Sequence, residues 1–111
     1  MAEHRLYEIA GLLLERTESG DIKWEKTATK DEFQTSFAKY SLVIKGGSTR
    51  ASPELQLFDE DRDLIEELTG ARGIPSIEIL HLLFECARRR ALGADKALDE
   101  ILEALRTTRK K

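Results

Sequence analysis

The hydrophobic period of this chain changes twice, from helical to alternating and back to helical, and that sets what it can fold into. Leu6, Ile9, Ala10, Leu13 and Leu14 recur at helical spacing, with Glu3, Glu8, Glu15 and Arg16 on the other face. They predict a helix over residues 2–18. Ser19-Gly20 closes it, because glycine readily takes the left-handed conformation past a helix end.

From there the period is two. Ile22 and Trp24 alternate with Lys23 and Glu25, as in a half-buried strand. After a polar turn at residues 27–31, Phe33, Thr35 and Phe37 share one face of a second strand. Ala38-Lys39 is a short connection, and Tyr40, Leu42 and Ile44 continue the alternation in a third. Residues 46–53 form a glycine-rich loop, after which Leu55, Leu57 and Phe58 suggest a fourth strand. Residues 63–68 suit either period. They lean towards the return arm of a hairpin turned by residues 59–62.

Residues 70–76 are a loop, and Pro75-Ser76 opens a long helix with Ser76 as its N-cap. Ile77, Leu80, Leu83, Phe84, Ala87 and Ala91 make its apolar stripe, and Gly93 breaks it. A last helix over residues 94–106 carries Ala97, Leu98, Ile101, Leu102 and Leu105. Helix, then a run of strands, then two helices argues for an α+β fold. The expectation is an antiparallel meander of three to four strands, with the two C-terminal helices packed on one sheet face. Trp24, Phe33, Phe37 and Tyr40 are the expected aromatics of the layer between.

With 111 residues the chain has the length of one domain, and it has a single cysteine, Cys86, so no intrachain disulfide forms. There is no apolar run long enough to span a bilayer and no signal-peptide pattern at the N-terminus. These features predict a cytoplasmic protein. The net charge is −3 but unevenly placed. Residues 46–70 hold seven acidic and two basic groups, residues 71–111 nine basic and six acidic. The basic part leaves an opening for an acidic partner.

No constellation outweighs its structural reading. His81 and Glu85 share a helix face, as a metal-binding pair would, but only His4 offers another nitrogen ligand, and no metal or cofactor is expected. Cys86 falls in mid-helix, where no dipole activates a thiol, so it reads as a small core residue. Asp59, Asp61 and Asp63 alternate like the start of a calcium loop. That match fails where Leu64 stands for the required glycine and Gly70 for the final glutamate. The segment Gly46-Gly47-Ser48-Thr49-Arg50 lacks phosphate-loop spacing and a following helix. Arg88, Arg89 and Arg90 fan over about 200° of a helix, too wide for one nucleic-acid contact face. With Arg106, Arg109, Lys110 and Lys111 they complement the helix dipole and solubilise the tail.

One positive hint remains. The stripe of the last helix is wide, and Leu12, Leu82 and Leu92 fall outside the tidiest core stripes. Surplus apolar helix surface is often buried against a partner or a second copy. The segments Gly20-Asp21-Ile22-Lys23-Trp24-Glu25, Asp31-Glu32-Phe33-Gln34-Thr35 and Ala87-Arg88-Arg89-Arg90-Ala91-Leu92-Gly93-Ala94-Asp95-Lys96-Ala97-Leu98 together resemble those of a group of small uncharacterised bacterial proteins. The resemblance covers most of the chain, least at residues 46–53. It implies a bacterial or phage origin and the plan of helix, meander sheet and helix pair, and it brings no functional residues.

The expected function is therefore that of a small, non-catalytic protein-interaction module: an adaptor, regulator or immunity-type partner. Asp59, Asp61, Asp63, Leu82, Arg88, Arg89, Arg90 and Leu92 are its candidate partner-binding residues. The alternative is a nucleic-acid-associated accessory protein using the basic C-terminal helices. An enzyme would have only His81, Glu85, Cys86 and Tyr40 to work with.

Overall fold

In the computed structural model, residues 2–46, 53–69 and 75–108 are described. The expected loop segments at residues 47–52 and 70–74 and the basic residues Arg109, Lys110 and Lys111 lie outside them, as does the side chain of Ser76. Helix α1 spans Ala2–Glu18. Leu6, Ala10, Leu13 and Thr17 follow one another at helical spacing and are all buried. The helix ends as its glycine predicts: Gly20 has φ +86°, its N–H donates to the Thr17 carbonyl, and the Asp21 N–H donates to that of Arg16. This paired cap satisfies two carbonyls that the helix leaves open.

Five strands follow: β1 Glu25–Lys26, β2 Glu32–Phe37, β3 Tyr40–Lys45, β4 Glu54–Phe58 and β5 Leu64–Thr69. They form one antiparallel meander in sequence order. That is one strand more than the most the sequence suggested, because β1 is a two-residue edge and residues 64–69 do form the return arm. The first strand also starts later than its alternation implies. Trp24 is buried ahead of it, where its indole Nε1 donates to Thr17 Oγ1 at 2.9 Å. Alternation at residues 22–25 therefore reflects anchoring to the end of α1 and not a full strand.

Register places Phe33 opposite Ile44, Ile44 opposite Leu55, and Leu55 opposite Leu68. This row of buried side chains crosses four strands on one face. Helix α2, Pro75–Leu92, brings Leu80, Leu83 and Ala87 to the same core, and α1 brings Leu6, Ala10 and Leu13. The opposite face is mainly polar, with Val43 between Gln34 and Gln56. Between β4 and β5 the register slips: Leu57 faces Glu66 and Phe58 faces Leu64, leaving Ile65 as the extra residue of a bulge. That slip is why residues 63–68 suit either period: the bulge breaks the alternation of a strand.

Helix α3, Ala94–Thr108, departs from expectation. It does not lie on the sheet; α1 and α2 already cover the core face. Gly93 takes φ +67° between α2 and α3, and Arg89 of α2 donates to the Asp95 carboxylate across the joint at 3.0 Å. From residue 95 to residue 107 every side chain of α3 is exposed. The chain is accordingly elongated, 62 × 33 × 25 Å.

Two backbone positions make opposite predictions. A Cβ on Gly46 would stand 2.6 Å from Phe84 Cζ, and that ring is held against Phe33 at a centroid distance of 5.8 Å. Gly46→Ala is expected to destabilise by about 1–3 kcal/mol, the usual cost of overpacking. Ala38 opens the β2–β3 turn at φ 54°, where an L side chain is strained. Ala38→Gly relieves that strain against a backbone entropy cost and is expected to gain up to about 1 kcal/mol. Denaturant unfolding of both variants checks the pair; a shift in the same direction for both would contradict it.

Candidate interaction groove

Of the residues the sequence singles out, the aspartates build a turn. Asp59 Oδ1 accepts the N–H groups of Asp61 and Asp63, each at 2.9 Å, and Arg62 sits at φ 68°. The three carboxylates come within 4.8 Å of one another. The Asp59 side chain is thus committed to holding the β4–β5 connection, leaving Asp61 and Asp63 exposed to solvent.

The three arginines are each turned to acceptors within the chain. Arg88 pairs with Glu85, Arg89 with Asp95, and Arg90 donates to the Glu18 carbonyl at 2.8 Å, tying the end of α2 to the end of α1. Arg89, Arg90, Glu18, Asp95 and Cys86 together line a small cleft of about 190 Å³. The cleft does not activate the thiol. Burial pushes Cys86 up, and Glu18 and then Glu85 add to this against the opposing pull of Arg90 and Arg89. His81 and Glu85 are exposed on α2.

Leu82 and Leu92 are exposed, as their place off the stripe implies, at 54% and 51%. Leu12, also off the stripe, is 52% exposed and opens onto a groove. An apolar groove of about 640 Å³ runs between α1 and the sheet. Leu42 of β3 and Leu57 of β4 form its floor, Ile9, Leu12 and Leu13 of α1 one wall, and Phe37 and Tyr40 the β2–β3 end. Ile65 reaches it from the bulge, and Ile22 completes the lining together with Arg16, its one charged residue.

The groove corrects three expectations. Ile9 was placed in the core stripe, and Phe37 and Tyr40 in the layer between helices and sheet; all three are at least 38% exposed. The reason is the geometry of cover. The row through Ile44 and Leu55 lies beneath both helices, but the strand ends bearing Phe37 and Tyr40 open onto the groove. Two signals pointed there: Leu12 off the stripe and two aromatics flanking one turn. The bulge that delivers Ile65 has no such signal.

Chemically the groove is an apolar surface with one guanidinium at its lining. Among the described residues that line it there is no nucleophile beside a base and no carboxylate pair, and Tyr40 stands in it beside the Lys39 ammonium, 5.9 Å from the ring centre. Compared with known protein families, curated proteins and solved structures, the chain matches none. No helix among the described residues is long and apolar enough to cross a membrane.

Cys86 offers a direct check of the chemistry. Its thiol is expected to react with a small disulfide reagent more slowly than a free peptide thiol at neutral pH, since only the thiolate attacks and its population is lowered. The pH–rate midpoint should lie above the usual thiol range. A midpoint below it would mark an activated cysteine.

Proposed function

We propose that this protein is a small, non-catalytic interaction module that seats an apolar helix of a partner in the groove between α1 and the sheet. One observation carries the reading: Ile9, Leu12, Phe37, Tyr40 and Ile65, all substantially exposed, converge on a single apolar trough. Scattered apolar residues on a surface are ordinary, whereas a contiguous concave set is a recognition feature. Helix-in-groove docking is the mode this shape serves. The role would be that of an adaptor, regulator or immunity-type partner in a bacterial or phage system. The acidic turn at residues 59–63 joins the strands that carry Leu57 and Ile65, so its charge bears on orientation and on-rate at the groove.

The geometry does not favour nucleic acid as the partner. Arg88, Arg89 and Arg90 would have to leave acceptors within the chain to reach phosphates.

Leu12→Glu and Ile65→Glu test the reading. Both positions are about half exposed, so the fold is expected to survive, as a thermal melt would verify. A partner captured from a lysate of the source cells by the native protein should be lost, at least tenfold, from either variant. Capture indifferent to both substitutions would remove the groove from the function. Charge reversal at Asp61 and Asp63 should weaken the same association more at low salt than at high salt, because exposed charges are screened. Equal loss at both ionic strengths would mean that the turn acts by contact instead.

A further inference from the structure

We propose that the groove receives helix α3 of a second copy of this chain, so that two chains exchange C-terminal arms. The proposal rests on the groove being a helix receptor, and it names the helix. The chain carries both halves of such a contact. Leu98, Ile101 and Leu102 of α3 are 51%, 56% and 49% exposed and share one helix face. A helix of 15 residues is about 22 Å long, and its apolar face is the convex counterpart of the trough.

The joint explains why the second half comes from another molecule. Gly93 and the Arg89–Asp95 bond set α3 off the end of α2 and away from its own sheet. An arm held outward in a chain 62 Å long is placed to reach a neighbour. Charge agrees in sign at Arg16, and the acidic turn at residues 59–63 bears on which way the acidic helix lies. Helix α3 carries four acidic residues and two basic ones, while Arg16 is the one charged residue lining the groove and makes no ion pair among the described residues. A specific interface buries about 1,200–2,000 Å² in total, and reciprocal exchange doubles the area that one helix face can bury. Reciprocal exchange also closes the assembly at two chains, as the same surfaces meet twice about a two-fold axis.

The test uses the full chain with Ile101→Glu in α3 and Leu12→Glu in the groove, each checked for an unchanged fold by circular dichroism. Light scattering should give the native protein twice the 12.6 kDa chain mass and each variant the single mass. An equimolar mixture of the two variants should partly recover the double mass. Leu12→Glu still offers a native α3, and Ile101→Glu still offers a native groove. A native protein that stays at the single mass over a hundredfold range of concentration would overturn the exchange. So would dimers that survive both substitutions, a mixture that fails to associate, or a Leu12→Glu variant that stays dimeric while Ile101→Glu does not, which would indicate α3 pairing with α3. Groove-dependent capture of a different protein by a monomeric chain would sink the exchange alone and leave the interaction-module reading standing.

Discussion

The row Phe33–Ile44–Leu55–Leu68 is the constraint on which the rest of the molecule depends. It exists because four strands are held in one register, and a slip of a single residue in any of them would turn its member to the solvent face. With the row in place, the sheet has one apolar side, and α1 and α2 must cover it. Their buried positions, Leu6, Ala10 and Leu13 on one helix and Leu80, Leu83 and Ala87 on the other, answer that single requirement. The Trp24–Thr17 hydrogen bond and the Arg90–Glu18 contact then fix the shared end of the two helices against the sheet edge.

The groove follows from the same constraint. Two helices suffice for the row through Ile44 and Leu55. They bury Leu42 at the groove floor but leave Leu57 half-buried and do not close over Phe37 and Tyr40 beyond it. Each square ångström of apolar surface left in water forgoes about 25 cal/mol, so an open trough is a standing cost to the monomer. The bulge at Ile65 enlarges that cost by turning one more apolar side chain towards the opening. The row beneath the helices carries the fold despite that cost.

What the sequence made legible was whatever depends on local period and punctuation. The three helices, the glycine at position 20, the Ala38-Lys39 turn and the alternation of Phe33, Leu42, Ile44 and Leu55 are all visible as spacing. What it hid depends on three-dimensional cover. Phe37 alternates in phase with Phe33, so no pattern separates the aromatic under a helix from the one beside the opening. The alternation at Ile22 and Trp24 mimics a strand because an indole reaching back to Thr17 is buried as a strand residue would be. The C-terminal stripe reads as a sheet-covering helix because amphipathicity states that a face must be buried without stating against what. Among the chosen site residues, Leu82 and Leu92 were legible as exposed. Arg89 and Arg90 were not legible as tied down, since their acceptors at Asp95 and Glu18 depend on the fold, whereas Arg88 pairs with Glu85 at helical spacing.

The same logic bears on α3. Isolated helices shorter than about 12–15 residues are marginal in water, and α3 has 15. Its own ion pairs, Lys96 with Glu100 and Arg106 with Glu103, are exposed and add only about 0.2–0.5 kcal/mol each. A helix this short usually draws its stability from burying its apolar face, and the side chains of α3 from residue 95 to residue 107 are exposed. The trough has the complementary deficit, a concave apolar surface without a helix over it. Seating one in the other would relieve both costs at once, and the unstrained turn at Gly93, with the Arg89–Asp95 bond across it, directs α3 away from its own sheet.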